Sequence, residues 1–347
     1  MKLRLNIIQL SLLSFLFLLN VNLSSQENQK VFEEIIVTAE KRDESLQTIS
    51  QAVTAITESE IDDKNITSFV DLTSIVPGVT VAKNEGYKTV ISIRGVGNET
   101  NQNAIAAPSV AYHMDGVFIA SPFSLQTDFV DIERIEVLRG PQGTLFGQNS
   151  TGGAINVISK KPSTSAFSSN ASMTIGDFNL RKVSSSTNFP ISDSVATKFT
   201  FTSTERDGFS KNVVTGQDLD DASNISLRSD WIFELNDSSS LRIFGQYFDS
   251  DRNGAAMRGI DDANDSMRKL SQDSLSKQEL TSKVIALIYE LDLGYASLKI
   301  LGSIQEDDVL VVRDNDRHNY GDPVLAIPGL GADSTYQMAE FNPETSL

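Results

Sequence analysis

The second half of the sequence is dominated by segments in which the two faces of the chain differ. In residues 241–247, Leu, Ile, Gly and Tyr fall on one face, and Arg, Phe and Gln fall on the other. A period of two residues is the pattern of a β-strand with two different environments. Similar segments recur at residues 171–176, 182–189, 195–204, 223–235, 283–291 and 295–304. The pattern predicts about seven antiparallel strands.

The connections between these segments have two lengths. Residues 176–177 and 235–237 are short turns, whereas residues 206–219 and 250–280 are long and polar. Short turns that alternate with long loops are typical of a transmembrane β-barrel, with the short turns in the periplasm and the long loops outside. A soluble β-sandwich gives the same period, so this region alone leaves both folds open.

The N-terminus has the pattern of a secretory signal. Lys2 and Arg4 precede an apolar run at residues 5–19, and small residues follow at 23–25. A run of roughly 15 residues is too short for a transmembrane helix, which needs about 20. A buried N-terminal helix is the alternative. We predict a signal peptide at residues 1–25, and any later membrane span would have to be a barrel because no other segment is long and apolar enough.

Composition excludes several classes of function. The net charge of -17 argues against a nucleic-acid partner, which requires a positive surface. The absence of cysteine excludes disulfides and thiolate sites. The two histidines, His113 and His318, lie in different predicted domains, so we expect neither a zinc site nor a serine–histidine pair. We therefore predict no catalytic residues, no metal and no cofactor, and the protein is not expected to be an enzyme.

Two local patterns resemble ligand-binding motifs but are incomplete. Residues 147–152 have phosphate-loop spacing, but Gly153 stands where the lysine is required. The acidic pairs at 261–262 and 307–308 do not complete a calcium-binding pattern, and we expect solvated loop charge there.

Residues 45–162 show a mixed pattern of short strands and helices. Thr57 and Glu60 have capping-box spacing, and a helix predicted at 68–75 ends at Pro77 and Gly78. Asp115-Gly116 between apolar runs predicts a hairpin. Strands are expected at residues 53–56, 79–82, 90–94, 110–113, 134–138 and 154–159. These elements predict a compact α+β domain.

Five motifs in this domain occur in the order of a known family. They are Val-Pro-Gly-Val at 76–79, Ile-Arg-Gly-Val at 93–96, Arg-Gly-Pro at 139–141, Leu-Phe-Gly at 145–147 and Gly-Gly-Ala-Ile-Asn-Val-Ile at 152–158. Together with residues 110–118, they closely resemble the plug domain of TonB-dependent outer-membrane receptors. The resemblance is specific over residues 33–162 and only architectural beyond them.

A short β-branched run precedes the domain and is flanked by charge. Such a run suits strand addition to a partner's sheet edge, although an ordinary first strand would look the same. The resemblance implies that the run is the TonB box, formed by Glu34, Ile35, Ile36, Val37, Thr38 and Ala39.

The resemblance also assigns structural roles within the plug. Its motif residues are Arg94, Gly95, Asp115, Gly116, Arg139, Gly140, Pro141, Gly147, Gly152 and Gly153. We interpret the glycines as backbone requirements of tight loops rather than as ligand contacts. Arg94, Arg134 and Arg139 are candidates for ion pairs with acids on the barrel wall, and free surface arginine is the alternative.

The implied organisation has four parts: a signal at 1–25, a periplasmic segment with the TonB box at 26–44, a plug at 45–162 and a partial β-barrel at 163–347. Barrels of this family have 22 strands. At about 9–11 residues a strand, these need roughly 200 to 240 residues, more than follow Pro162. We therefore expect seven or eight strands of an incomplete antiparallel barrel.

The resemblance implies active import across the bacterial outer membrane. The expected partners are TonB in the periplasm, outer-membrane lipid and a small-molecule ligand, in first place a ferric siderophore or another iron complex. Receptors for cobalamin, haem or oligosaccharides, and a surface adhesin that transports nothing, are the alternatives.

Overall fold

The structure is a computed structural model, and all residues that it describes belong to one compact unit, residues 35–347. It describes residues 36–38, 44–45, 47, 49, 51–84, 88–97, 108–119, 124–126, 128–259, 262–314 and 335–338. The predicted signal peptide and most of the predicted periplasmic segment lie outside the described residues.

The plug domain is built on a five-stranded sheet of order β3-β8-β9-β6-β7. Neighbouring strands are antiparallel except β6 and β9, which are parallel. Two smaller pairs, β1-β2 and β4-β5, complete its strands. The strands are β1 (Ile36–Val37), β2 (Glu44–Ser45), β3 (Val53–Thr57), β4 (Val79–Asn84), β5 (Lys88–Ile93), β6 (Val110–Met114), β7 (Val117–Phe118), β8 (Ile132–Arg139) and β9 (Gly153–Ser159).

The helices of the plug are short. They are α1 (Glu58–Asp63), α2 (Leu72–Ile75) and α3 (Gly143–Phe146), with 3-10 turns at Phe69–Asp71 and Ser124–Gln126. Helix α1 begins at the predicted capping box, whereas the helix predicted at residues 68–75 is a 3-10 turn followed by an α-helix of four residues. Thr57 and Glu60 form the predicted capping box, which satisfies free N–H groups at the start of α1. The helix α3 was not predicted, because four residues are too few to show a helical period.

The hairpin at Asp115 and Gly116 is confirmed. Both residues have positive φ, 53° and 86°, and the strands pair through His113 with Phe118 and Met114 with Val117. Two consecutive positive φ values are what a two-residue turn between twisted strands requires, and aspartate and glycine tolerate them best.

The remainder of the described chain forms an eight-stranded antiparallel sheet of order β10-β11-β12-β15-β16-β18-β19-β20. Its strands are β10 (Ser168–Gly176), β11 (Leu180–Ser192), β12 (Val195–Arg206), β15 (Ala222–Asn236), β16 (Ser239–Arg252), β18 (Lys277–Asp292), β19 (Ser297–Asp314) and β20 (Thr335–Met338), and the loops add β13 (Ser210–Asn212), β14 (Asp218–Leu219) and β17 (Lys269–Leu270). All seven predicted strands are present, and most are longer than predicted. Among the described residues the sheet is open, with β10 and β20 at its edges, which confirms an α+β plug followed by an incomplete barrel.

The two faces of this sheet have the predicted alternation. On β18, Leu280, Val284 and Ile288 are buried, whereas Ile285 between them is 62% exposed. Buried residues of β16 and β18, with Phe244 among them, join one core cluster with residues of the plug. The plug therefore packs on the inner face, and the outer face of the sheet is left apolar.

Aromatic side chains lie on neighbouring strands toward the ends joined by short turns. Phe189, Phe199, Trp231 and Phe233 form a chain of ring contacts with centroid distances of 6.2 to 6.5 Å. Such rows of aromatic residues mark the membrane–water interface of barrels. Within the part of the chain that the structure describes, no helix is long and apolar enough to span a membrane.

The long connections at the other end are ordered by pairing with each other. Strand β13 pairs with β14 and, in parallel, with β17, so two separate loops share one small sheet. The sequence pattern does not predict this sheet, because two- and three-residue strands have no readable period.

Candidate functional site

A buried cluster of charged side chains joins the plug to the sheet wall. Asp115 of the plug hairpin accepts a hydrogen bond from Arg228 Nη2 at 2.6 Å and lies 3.4 Å from Arg242 Nη1. Arg228 and Arg242 project from β15 and β16, and Asp230 of β15 accepts from Arg242 Nη2 at 2.6 Å. Only 1% of the Asp115 side chain and 5% of the Arg242 side chain is exposed. We call Asp115, Ser159, Arg228, Asp230 and Arg242 the ion cluster.

The ion cluster is balanced in charge and in hydrogen bonds. Two carboxylates face two guanidinium groups, so the buried group carries no net charge. Ser159, at the end of β9, donates its backbone N–H to Asp115 Oδ1 at 2.9 Å, and its hydroxyl accepts from Arg242 at 2.8 Å. A buried ion pair is stable only when the remaining donors and acceptors are satisfied in this way. The plug is therefore held to the wall by a largely buried contact.

The environment fixes the protonation state of Asp115. Burial alone would raise the pKa of its carboxyl, but the charges of Arg242 and Arg228 and the hydrogen bonds of Ser159 outweigh burial and lower the pKa to about 2. Asp115 is therefore ionised at any pH that a bacterial surface meets.

The ion cluster reverses the pairing that the family resemblance suggested. We expected plug arginines to pair with acids on the wall, but here a plug aspartate pairs with wall arginines. Arg134, a weaker candidate for such a pair, instead pairs with Glu133 and with Glu136 of its own strand. Arg94 is exposed, and none of the ion pairs between described residues includes Arg94 or Arg139.

A second set of contacts fixes the plug at both ends of the wall strands, with Lys198 near the short turn after β11 and Lys182 near the long loop after β12. Lys198 of β12 lies 2.8 Å from Asp131 and donates to the carbonyl of Lys160 at 3.0 Å. Lys182 of β11 lies 3.2 Å from Asp128. In these pairs, too, the wall supplies the cation and the plug the anion.

The glycine motifs lie where side chains would not fit. A Cβ on Gly153, which has a φ of 145°, would lie 2.2 Å from the Leu138 carbonyl oxygen of the neighbouring strand. A Cβ on Gly152 would lie 2.8 Å from the Val96 carbonyl oxygen. The motif therefore lets the start of β9 approach β8 on one side and the loop at 94–97 on another. The other motif glycines, Gly95, Gly116, Gly140 and Gly147, have positive φ values, and Pro141 is exposed in the turn between β8 and α3.

Part of the predicted TonB box is docked on the plug. Ile36 and Val37 form β1, which pairs with Glu44 and Ser45. Val37 is fully buried, and Thr38 donates its backbone N–H to Glu136 Oε1 at 2.7 Å. We call residues 36–38 the N-terminal segment. Glu34, Ile35 and Ala39 lie outside the described residues.

One residue of each acidic pair departs from the expected solvated loop charge, whereas Asp308 is exposed as expected. Asp307 is buried in strand β19, with only 2% exposed. The side chain of Asp262 accepts the backbone N–H groups of Asn264 and Ser271 within its loop. Asp261 and His318 lie outside the described residues. No group of three or more potential ligands that could hold a metal ion occurs among the residues that the structure describes.

A small α+β domain fixed to the inner face of an antiparallel sheet with an apolar outer face is the architecture of a plugged outer-membrane barrel. A family model described as the TonB-dependent Receptor Plug Domain matches residues 45–154. The chain is 32% identical over 144 residues to the pesticin receptor of Yersinia pestis, which is 40% of this chain and 20% of that protein. It is 24% identical over 220 residues to the vitamin B12 transporter BtuB of Vibrio vulnificus, 63% of this chain and 35% of that protein.

Solved structures show the same fold. The ferric yersiniabactin uptake receptor FyuA of Yersinia pestis superposes with a TM-score of 0.66 at 20% identity, over 76% of this chain and 42% of that chain. The ferripyoverdine receptor of Pseudomonas aeruginosa superposes with a TM-score of 0.64 at 17% identity, over 80% of this chain and 37% of that chain. Residues 45–154 are therefore a plug domain of the TonB-dependent receptor type, which confirms the predicted family for this part of the chain and agrees with the predicted outer-membrane location. These relatives are receptors and transporters, not enzymes. The chain spans about a fifth to a third of the length of the curated relatives it matches.

Sequence reasoning missed the wall residues of the site. Arg228 and Arg242 occupy inward positions of the alternating strands, and a charged residue on the inner face was the available signal. Their register with Asp115 depends on how the plug sits against the wall, which no local pattern encodes.

Proposed function

We propose that the receptor containing this chain imports a scarce, bulky nutrient across the outer membrane, with energy supplied through TonB. The observation that supports the proposal best is the ion cluster. A plug held to the wall by two buried aspartates, the buried Arg242 and the partly buried Arg228 will not leave the pore spontaneously, because separating buried charges is costly. Opening the pore therefore needs work supplied from outside the receptor.

The N-terminal segment is the point where such work would be applied. It contains β-branched residues, lies ahead of the plug in sequence and is attached to the plug sheet through Thr38 and Glu136. A partner that pairs with it as an added strand would pull directly on the plug. The apolar outer face of the sheet would contact lipid, and the long loops with β13, β14 and β17 would face outward.

We propose a ferric siderophore as the substrate in first place. The relatives described as ferric yersiniabactin and ferripyoverdine receptors support this class. The match to a vitamin B12 transporter over 63% of this chain makes a corrinoid the second candidate.

Uptake assays on a strain lacking this gene test the proposal. We expect the deletion strain to lose accumulation of a radiolabelled ferric siderophore under iron starvation and to regain it from the intact gene. Loss of cobalamin uptake with unchanged iron uptake would favour the second candidate. Unchanged uptake of both substrates would contradict import and favour an adhesin.

A further inference from the structure

Glu136 is a buried carboxylate that depends on the N-terminal segment for half of its donors. It lies on β8, between β3 and β9 in the plug sheet, and is fully buried. Thr38 supplies its backbone N–H at 2.7 Å and its hydroxyl at 3.1 Å. The other donors belong to the plug itself, Arg134 Nε at 2.9 Å and Asn156 Nδ2 at 3.3 Å. When the segment leaves, this carboxylate loses two partners at once.

The docked segment cannot serve a partner at the same time. Strand addition uses the backbone N–H and carbonyl groups of the added strand. Here Ile36 and Val37 are already paired in β1-β2, and the N–H of Thr38 is donated to Glu136. Val37 is buried in a cluster with Ala55, Ala111, Leu138, Phe146 and Ala154. Glu136 and an incoming strand therefore compete for the same backbone donor.

We propose that Glu136 is a positioning residue that holds the N-terminal segment on the plug and so sets how often the segment is available for strand addition. This role of Glu136 rests on the proposed function only in that the strand-adding partner is taken to be TonB. Hydrogen bonds to an ionised acceptor are about twice as strong as neutral ones. Removing the charge should therefore raise the undocked fraction by about tenfold.

Cysteine labelling measures undocking directly, because the sequence contains no cysteine. Val37→Cys places a thiol at a fully buried position that becomes reactive to a maleimide only when the segment leaves. The reaction is followed in isolated outer membranes without TonB or substrate, so its outcome does not depend on uptake. Failure of the uptake test would leave this result intact, and the reverse also holds.

Three substitutions are combined with Val37→Cys. Glu136→Gln should increase the labelling rate by about tenfold. Thr38→Val removes only the hydroxyl donor and should increase it by a smaller factor. Glu133→Gln is the matched control, because Glu133 lies on the same strand and also pairs with Arg134 but does not contact the segment. It should label at the rate of Val37→Cys alone.

A second thiol separates undocking from loss of the plug fold. Val157→Cys is fully buried in the other core cluster and should stay unreactive when Glu136→Gln is introduced. If Val157→Cys reacts as well, Glu136→Gln has unfolded the plug. The test then uses Thr38→Val, which changes only the N-terminal segment and leaves the plug intact. The proposal would be overturned if Val37→Cys were labelled equally fast with Glu136→Gln and with Glu133→Gln. If Glu136→Gln unfolds the plug, the proposal would be overturned by equal labelling of Val37→Cys with and without Thr38→Val.

Discussion

At the scale of residues, the account depends on a few buried charges rather than on the many exposed ones. The side chain of Asp115 is 1% exposed and touches two arginines of the wall, whereas a pair such as Lys269 with Asp265 lies in solvent. Exposed pairs contribute little, but removing one partner from a buried pair leaves an uncompensated charge. The ion cluster is therefore where single substitutions should have the largest effect on plug retention.

Asp115→Asn should weaken the attachment of the plug by about 3 kcal/mol, because two buried arginines would then share one carboxylate. The measurement is the denaturant concentration at which a protease begins to cut the plug. Asp265→Asn, at an exposed position, is the control and should leave that concentration unchanged. Equal behaviour of the two variants would show that the ion cluster does not hold the plug.

The same carboxyl predicts a pH dependence. The pKa of Asp115 is lowered from 3.8 to about 2, so its contribution to stability is complete above pH 4 and is lost as the pH falls through 2. Plug release measured between pH 6 and pH 2 should therefore separate wild type from Asp115→Asn at the upper end and bring them together at the lower end. A constant difference over the whole range would contradict the lowered pKa.

At the scale of elements, the strands and turns follow from local chemistry, and the contacts between them do not. Alternation predicted the seven long strands, and Asp115-Gly116 predicted its hairpin. Helix α3 and the small sheet of β13, β14 and β17 were missed because two to four residues carry no period. The position of Arg228 and Arg242 opposite Asp115 was missed because it depends on tertiary docking.

Gly153 offers a test of the glycine motif at this scale. Gly153→Ala would place a Cβ 2.2 Å from the Leu138 carbonyl oxygen at a φ of 145°, so β9 should separate from β8. We expect a loss in the free energy of unfolding of the plug of more than about 1 kcal/mol. Gly143→Ala is the matched control, because its added Cβ meets nothing within 4 Å. Equal stability of both variants would remove the steric role assigned to Gly153.

At the scale of the whole molecule, the sheet has an apolar outer face and a partly polar inner face that carries the plug. Ile285→Arg places a charge on that outer face in the middle of β18 and should cost about 2–4 kcal/mol when the sheet lies in a bilayer. Leu293→Arg, in the turn after β18, should cost little because a turn lies at the interface. Folding titrations in lipid vesicles compare the two, and equal costs would argue against a lipid-facing surface.

On the proposed function, the N-terminal segment couples an external energy source to a plug fixed by the ion cluster. Proline at position 36 removes a backbone N–H that an added strand needs, without touching the outward loops. In the receptor carrying Ile36→Pro, we expect uptake of the ferric siderophore to be lost while its binding to whole cells is unchanged, and Ile36→Val should retain both. Unimpaired uptake in the Ile36→Pro receptor would contradict the account.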